Sequence, residues 1–130
     1  MIIATSALMA LWRNTAEVSA LHAAIMRSPM RLVSAATVVE AGMVMMGERP
    51  GGSDLELDAL LRELDVTTVP FTEDHAHRAR EAARTYGKCR HPAGLTFGDC
   101  MAYALAVAIG EPVLSAGEHF ARTDIERVAI

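Results

Sequence analysis

Two segments of the sequence that read as helices each carry a single charge, and in both segments that charge is a carboxylate. Ala35–Met46 reads AATVVEAGMVMM and contains only Glu40, whereas Phe97–Ile109 reads FGDCMAYALAVAI and contains only Asp99. A lone carboxylate on an apolar helix is expected to face the interior, where it needs a cation or hydrogen-bond donors to offset the cost of burial. If the two carboxylates converge, they form a site for a hard divalent cation, which prefers oxygen ligands.

Simpler structural roles compete for both side chains. Asp99 lies three residues after Thr96, so it is also placed to complete a capping box and to favour the helix dipole. Glu40 lies in mid-helix, where an ion pair with an arginine is the alternative. The sequence contains neither the HExxH pattern of zinc hydrolases nor a GxGxxG loop after its first apolar segment, so a zinc enzyme and a nucleotide-cofactor enzyme are both disfavoured.

The composition suits one domain over residues 1–130. The hydrophobic fraction is 52% and the mean hydropathy is +0.23, which is ample for a core. No uncharged apolar run reaches the roughly 18 residues of a membrane span, and the opening segment lacks the basic region of a signal peptide. We therefore expect a soluble, cytoplasmic protein that does not associate with membranes. Cys89 and Cys100 match no metal-binding spacing and are expected to be reduced thiols.

The net charge of −4 argues against general affinity for nucleic acids, but its distribution is uneven. Between Arg78 and Arg90 lie five basic residues and one acid, Glu81. One basic stretch on an acidic protein is a plausible footprint for a polyanion. A solvated helix face is an equally good interpretation of the same pattern.

Helix and strand signals alternate along the chain, which indicates βαβ units and a mainly parallel sheet with helices on both faces. Ligands of such sheets bind outside the carboxyl ends of the strands. Predicted helix N-caps are Thr5 or Ser6, Ser53 with Glu56 as a capping box, Thr72 and Thr96. The predicted strands are Met1–Ala4, Arg31–Val33, Val66–Val69 and Pro112–Ser115, with Ile125–Ile130 as a further edge strand. One helix is predicted over about Ala16–Met26. The other predicted helices begin after Thr5/Ser6, Ser34/Ala35, Ser53, Thr72 and Thr96.

Four segments, in the right order over essentially the whole chain, resemble the PIN-domain ribonucleases and, among them, the bacterial VapC toxins. The most specific is the stretch Gly87–Cys100, which resembles the third motif of the VapC toxins. The others are Met1–Leu8, which resembles the first strand and turn, Thr37–Glu40, which resembles the second motif, and Val113–Phe120 with Thr123–Ile125, which resembles the last strand and end.

This resemblance implies a three-layer α/β/α fold with a short, mainly parallel sheet of four to five strands. It implies an endoribonuclease that depends on Mg²⁺ or Mn²⁺, cuts structured RNA such as tRNA or rRNA, forms a homodimer and is neutralised by a VapB-type antitoxin. Glu40 and Asp99 match metal-ligand positions of the family, and Ser6 matches a position that hydrogen-bonds within the acidic cluster. The basic residues Arg84, Lys88 and Arg90 would suit the RNA backbone.

Two positions depart from the family pattern. The aspartate that normally ends the first strand is Ala4, which has no oxygen with which to bind a metal ion. Near the end of the chain, His119 stands where an aspartate is expected; Glu118 is then the candidate third metal ligand, and Asp124 is a weaker one.

We predict that Ala4 inactivates the chain. Such a substitution could have been engineered, because an active toxin harms its expression host. Two other interpretations stay open. One is a natural pseudo-nuclease that acts only by binding an antitoxin or regulatory partner, and the other is an unrelated α/β binding domain in which Asp99 only caps its helix.

Overall fold

The computed structural model describes residues 1–130, with six α-helices around a sheet of four short strands. The strands are β1 (Ile2–Ile3), β2 (Leu32–Ser34), β3 (Thr67–Val69) and β4 (Val113–Leu114). The helices are α1 (Thr5–Arg13), α2 (Val18–Arg27), α3 (Ala35–Glu48), α4 (Ser53–Glu63), α5 (Glu73–Tyr86) and α6 (Phe97–Ile109), and a short 3₁₀ helix follows at His119–Arg122. None of the six helices is both long and apolar enough to cross a membrane.

The four strands run parallel in the order β3-β2-β1-β4. From β1 the chain first builds β2 and then β3 on one side of the sheet. It later returns and adds β4 on the other side of β1. In the register of β1 with β4, Ile2 lies opposite Val113 and Ile3 opposite Leu114. The fold is therefore the predicted three-layer α/β/α arrangement, and its sheet has the predicted short, parallel character.

Alternation of side chains along β1 and β4 divides the hydrophobic core between the two faces of the sheet. Ile3 and Leu114 belong to a cluster built with α1, α2, α3 and α4. Ile2 and Val113 belong to a second cluster built with α5, α6 and the 3₁₀ helix, whose Phe120 is fully buried. These four side chains are fully buried, which explains why β1 and β4 are uniformly apolar.

Two of the predicted helix caps are confirmed and two are wrong. Thr72 and Thr96 accept hydrogen bonds from the backbone of the first turns of α5 and α6. Ser53, by contrast, is the first residue inside α4; Gly52, with a φ of +91°, holds the cap position, and the buried Ser53 hydroxyl has no partner. Thr5 likewise lies inside α1, because Ala4 occupies its cap position without a side-chain acceptor.

The predicted edge strand Ile125–Ile130 does not form. Only Arg127 pairs with β4, in a parallel bridge to Val113, with hydrogen bonds from Val113 N to the carbonyl of Glu126 and from Val128 N to the carbonyl of Val113. A single bridged residue makes a ladder too short to count as a strand. The sheet therefore ends at β4 on this side.

The two cysteines differ in accessibility, which gives a direct test of the packing around α6. Cys89 is exposed, whereas Cys100 is 3% exposed, and burial together with the nearby charge of Asp99 raises its pKa from 9.0 to about 11. We expect a thiol reagent at pH 8 to label Cys89 alone in the native protein and both cysteines in denaturant. Rapid labelling of both in the native protein would contradict this packing.

The same shift predicts a pH dependence of stability. The folded state keeps the Cys100 thiol neutral, so its contribution is complete below the unfolded pKa of about 9.0 and is lost as the pH rises toward 11. Between these values the urea midpoint should therefore fall more steeply in the parent protein than in Cys100→Ala. Equal slopes in the two proteins would rule out this contribution.

Candidate active site

A cavity of about 230 Å³ opens at the carboxyl ends of β1 and β4. This is where a parallel sheet whose connections diverge leaves a crevice for ligands. Its walls come from the start of α1, the second turn of α3, the start of α6 and the segment after β4. The lining residues are Thr5, Ser6, Glu40, Thr96, Asp99 and Ala116 to His119.

Glu40 and Asp99, 59 positions apart in the sequence, both line this cavity. The Glu40 carboxylate lies directly against the backbone of Gly98, because a Cβ added to Gly98 would fall 2.0 Å from each carboxylate oxygen. Only glycine leaves room for this approach. Neither carboxylate pairs with an arginine or a lysine, so the ion-pair alternative for Glu40 is wrong.

Asp99 combines a capping role with a place in the cavity. Its side chain is 9% exposed, and its Oδ2 accepts a hydrogen bond of 2.9 Å from the backbone N–H of Thr96. The same oxygen lies 2.8 Å from Nδ1 of His119. The other oxygen, Oδ1, forms no hydrogen bond within the chain. The capping box predicted as an alternative therefore exists, and it uses one oxygen while leaving the second available to a ligand.

Ser6 connects the start of α1 to the segment that follows β4 at the edge of the cavity. Its Oγ accepts a hydrogen bond of 3.1 Å from the backbone N–H of Ala116, in the segment that follows β4. The family resemblance implied a hydrogen bond within the acidic cluster, but in this structure the partner of Ser6 is backbone. Its contribution is to position the segment that carries Glu118 and His119.

Ala4 is fully buried beneath the cavity and packs in the hydrophobic cluster around α6. Two hydroxyls of the neighbouring elements are buried without a hydrogen-bond partner: Thr5 Oγ1, in the next residue, and Thr37 Oγ1, one turn before Glu40 on α3.

The predicted set of three metal ligands is not assembled, because the side chain of Glu118 lies mostly in solvent although the residue lines the cavity. Its side chain is 83% exposed, and the nearest basic group is Nη1 of Arg127 at 3.5 Å. Asp124, the weaker candidate, accepts a hydrogen bond of 2.7 Å from the hydroxyl of Tyr103 and lines a different groove. No three Asp, Glu, His or Cys side chains lie close enough together to hold a metal ion.

The predicted RNA-binding residues fall into two groups. Lys88 and Arg90 line a groove of about 740 Å³ between α5 and the start of α6, and this groove shares Thr96 with the carboxylate cavity. Arg84 lies instead in a separate groove beside Tyr103. The larger groove also contains Arg80, which belongs to the basic stretch noted in the sequence, and Phe97, to which the sequence analysis assigned no role.

The donor set of the cavity fits a hard divalent cation incompletely. Glu40 and the free Oδ1 of Asp99 provide carboxylate oxygens, and Mg²⁺ in proteins is often held by only one or two carboxylates while it keeps several waters. Ala4, at the position that the family resemblance assigns to a third acid, has only a methyl group. The cavity therefore offers a cation the oxygens of two carboxylates.

A family model for the PIN domain matches residues 1–126. This chain belongs to the PIN-domain family. It is 44% identical to ribonuclease VapC30 of Mycobacterium tuberculosis over an alignment that spans all of this chain and 99% of the relative. It is also 43% identical to a ribonuclease VapC of Mycolicibacterium smegmatis, over 98% of this chain and 99% of the relative.

Solved structures with low sequence identity confirm the fold. The crystal structure of Mycobacterium tuberculosis VapC20, described as a sarcin-ricin loop cleaving toxin, superposes with a TM-score of 0.78 at 16% identity and covers 98% of this chain and 97% of its own. A toxin–antitoxin complex from Klebsiella pneumoniae gives a TM-score of 0.69 at 18% identity, over 95% of this chain and 92% of that one.

The resemblance of the four sequence segments to PIN-domain ribonucleases is thereby confirmed. Within this family the chain is of the VapC ribonuclease type. Its class is that of the endoribonucleases, and PIN-domain nucleases of this class depend on divalent metal ions. The interpretation as an unrelated α/β binding domain is wrong.

Gly98→Ala tests whether the approach of Glu40 to α6 builds the metal site, with Gly47→Ala on α3 as the matched control. The new methyl group at Gly98 would displace the Glu40 carboxylate, whereas a Cβ at Gly47 has no atom within 4 Å. Because Glu40 is half-buried and flexible, we expect it to swing aside without unfolding the protein. In an Ala4→Asp background, Mn²⁺ should raise the Tm of Gly47→Ala but not of Gly98→Ala. Equal Mn²⁺ responses would exclude Glu40 as a ligand.

Proposed function

We propose that this chain is an endoribonuclease toxin of the VapC type in which Ala4 has removed one acid of the metal site and impaired catalysis. The observation that supports this most directly is the meeting of Glu40 and Asp99 in one cavity without an arginine or lysine partner. Two carboxylates that line one cavity suit a metal ion better than a purely structural role, because buried or half-buried charges are most stable beside an opposite charge.

The metal in this proposal is Mg²⁺ or Mn²⁺, held by Glu40 and Asp99, with Glu118 joining only if its side chain turns inward. Such an ion lowers the pKa of a bound water and stabilises negative charge on the phosphate and on the leaving oxygen. The protein's own groups prepare the site. The Thr96 N–H fixes the orientation of the Asp99 carboxylate, and Gly98 admits Glu40 beside it.

The charge of the cavity also couples metal binding to RNA binding. Without a cation, the two carboxylates would repel a phosphodiester. The substrate would therefore enter this part of the site only when a metal ion neutralises the charge of the cavity. Lys88 and Arg90 lie in the adjoining groove and are placed to hold phosphates on either side of the one that is cut. Arg84 lies in a separate groove and would contact a more distant part of the RNA.

The remaining parts of the proposal follow the family. We assign structured RNA, tRNA or rRNA, as the substrate class, a VapB-type antitoxin as the neutralising partner, a homodimer as the assembly and the cytoplasm as the location. VapC20, with the same fold, is a sarcin-ricin loop cleaving toxin, and the Klebsiella pneumoniae neighbour was solved as a toxin–antitoxin complex. Residues 1–130 act in this proposal as one PIN-like domain.

A second function has two observations in its favour. Ala4 is fully buried in a continuous apolar cluster, and no three-residue metal group is formed. A natural pseudo-nuclease that only binds an antitoxin or a regulatory partner would have these features. Metal-dependent cleavage by the unaltered chain, even if slow, distinguishes the impaired enzyme from the pseudo-nuclease.

Restoring the acid is the decisive experiment. With Mg²⁺ or Mn²⁺, Ala4→Asp should cleave RNA at least about 100-fold faster than the parent chain, since even outer-shell partners of metal ligands contribute about 10- to 100-fold. The restored side chain should also cap α1 and enlarge the rise in Tm that the metal produces. Cleavage of labelled tRNA and rRNA fragments and melting curves with and without metal measure the two effects.

Two further substitutions in the restored protein separate charge from folding. Asp99→Asn keeps an oxygen for the Thr96 N–H but removes the negative charge, so cleavage should be lost while α6 stays capped. Asp54→Asn removes an acid from the first turn of α4, outside the cavity, and should leave cleavage unchanged. If folded Ala4→Asp neither cleaves RNA nor slows bacterial growth, the impaired-enzyme proposal is wrong.

A further inference from the structure

Phe97 is the most exposed large hydrophobic side chain of the protein. It is the first residue of α6 and is 76% exposed, followed by Leu55 on α4 at 67%. Phenylalanine is among the residues most often buried, and here no other part of the chain covers it. An aromatic ring in this position, two residues before Asp99, is available to a ligand of the same site.

The surroundings of Phe97 are apolar at the floor and basic at the rim. The groove that it lines is walled by Leu95 and Met101, among other apolar side chains, and by the three cations Arg80, Lys88 and Arg90, with no acidic residue. None of these three cations forms an ion pair. By contrast, four other arginines are each paired with a carboxylate: Arg13, Arg49, Arg78 and Arg127.

The groove and the carboxylate cavity meet at the N-terminal end of α6. Thr96 lines both of them, and Phe97 and Asp99 belong to the same first turn. A helix with its side chains is about 10–12 Å across, so the ring and the carboxylate are separated by no more than this width. An extended strand that crosses the end of α6 would touch both.

We propose that Phe97 is a stacking platform for an unpaired RNA base next to the scissile phosphate, with Arg80, Lys88 and Arg90 holding the flanking phosphates. This inference rests on the proposed ribonuclease function and narrows its substrate to single-stranded or looped RNA. In a duplex the faces of the bases are stacked on one another, whereas loops expose them to aromatic side chains. The unpaired cations and the absence of acids fit a polyanion.

Binding can be measured separately from cleavage in the chain that carries Ala4. A short single-stranded oligoribonucleotide with a fluorescent end label reports affinity by anisotropy, and an internal 2-aminopurine reports stacking by quenching, both with Mg²⁺ present because the proposed site admits a phosphate only beside a cation. Phe97→Ala should weaken binding by about 5- to 100-fold and abolish the quenching. Phe97→Trp should restore both, and Leu55→Ala, a control of similar exposure on α4, should change neither.

Phe97→Leu separates stacking from a general apolar contact. Leucine keeps an apolar side chain but has no aromatic face, so it should behave like alanine toward RNA. Lys88→Gln should leave the quenching intact while reducing the slope of log affinity against log salt by about 0.7, the contribution of one phosphate contact in a single strand.

Several results would overturn the platform. Parent-like RNA affinity and quenching in Phe97→Leu would exclude stacking. A shift in elution volume for Phe97→Ala with unchanged RNA affinity would assign the ring to a protein contact. If Ala4→Asp cleaves RNA while all Phe97 variants bind like the parent, only the platform fails. If the parent chain binds no RNA and Ala4→Asp cleaves none, the proposed function fails with it.

Discussion

The approach of the Glu40 carboxylate to the backbone of Gly98 is the contact on which the site depends. It brings a second negative charge into the cavity that Asp99 lines, where no arginine or lysine compensates. The start of α6 reduces the cost, because the positive end of the helix dipole and the Thr96 N–H both favour negative charge there. His119, next to Asp99, provides further compensation when it is protonated. The protein thus places two carboxylates where a cation could join them.

The order of the strands explains how residues from four parts of the sequence reach one point. β1 lies between β2 and β4. The segments that follow β1 and β4 therefore leave the same edge of the sheet and face each other across the crevice. α3 begins at the residue that follows β2, with Ser34 as its cap, so the second helical turn reaches the same edge. α6 enters with its N-terminus first. The sheet therefore fixes where the two carboxylates lie, and neither side chain has to extend far to reach the cavity.

Features that depend on local sequence were predictable, whereas those that depend on tertiary contacts were not. The lone acids on α3 and α6 and the caps Thr72 and Thr96 are local signals, and the structure bears out their placement. The cap of α4 was misjudged because Gly52, which accepts a positive φ, begins the helix one residue earlier. The direction of Glu118 and the exposure of Phe97 are decided by neighbours distant in sequence. Hydrophobic periodicity alone does not indicate that the first residue of an apolar helix remains uncovered.

The hydrogen bond from the Ala116 N–H to Ser6 joins positions 110 residues apart, and it has a consequence for the timing of folding. β1 cannot be completed on one side until β4 is available, and α6 precedes β4 only slightly in the chain. During synthesis the N-terminal helices can collapse early, but the crevice closes only after β4 and the segment that carries Ala116 have emerged. A partly synthesised chain therefore lacks the crevice, and the cavity is among the last parts of the domain to become ordered.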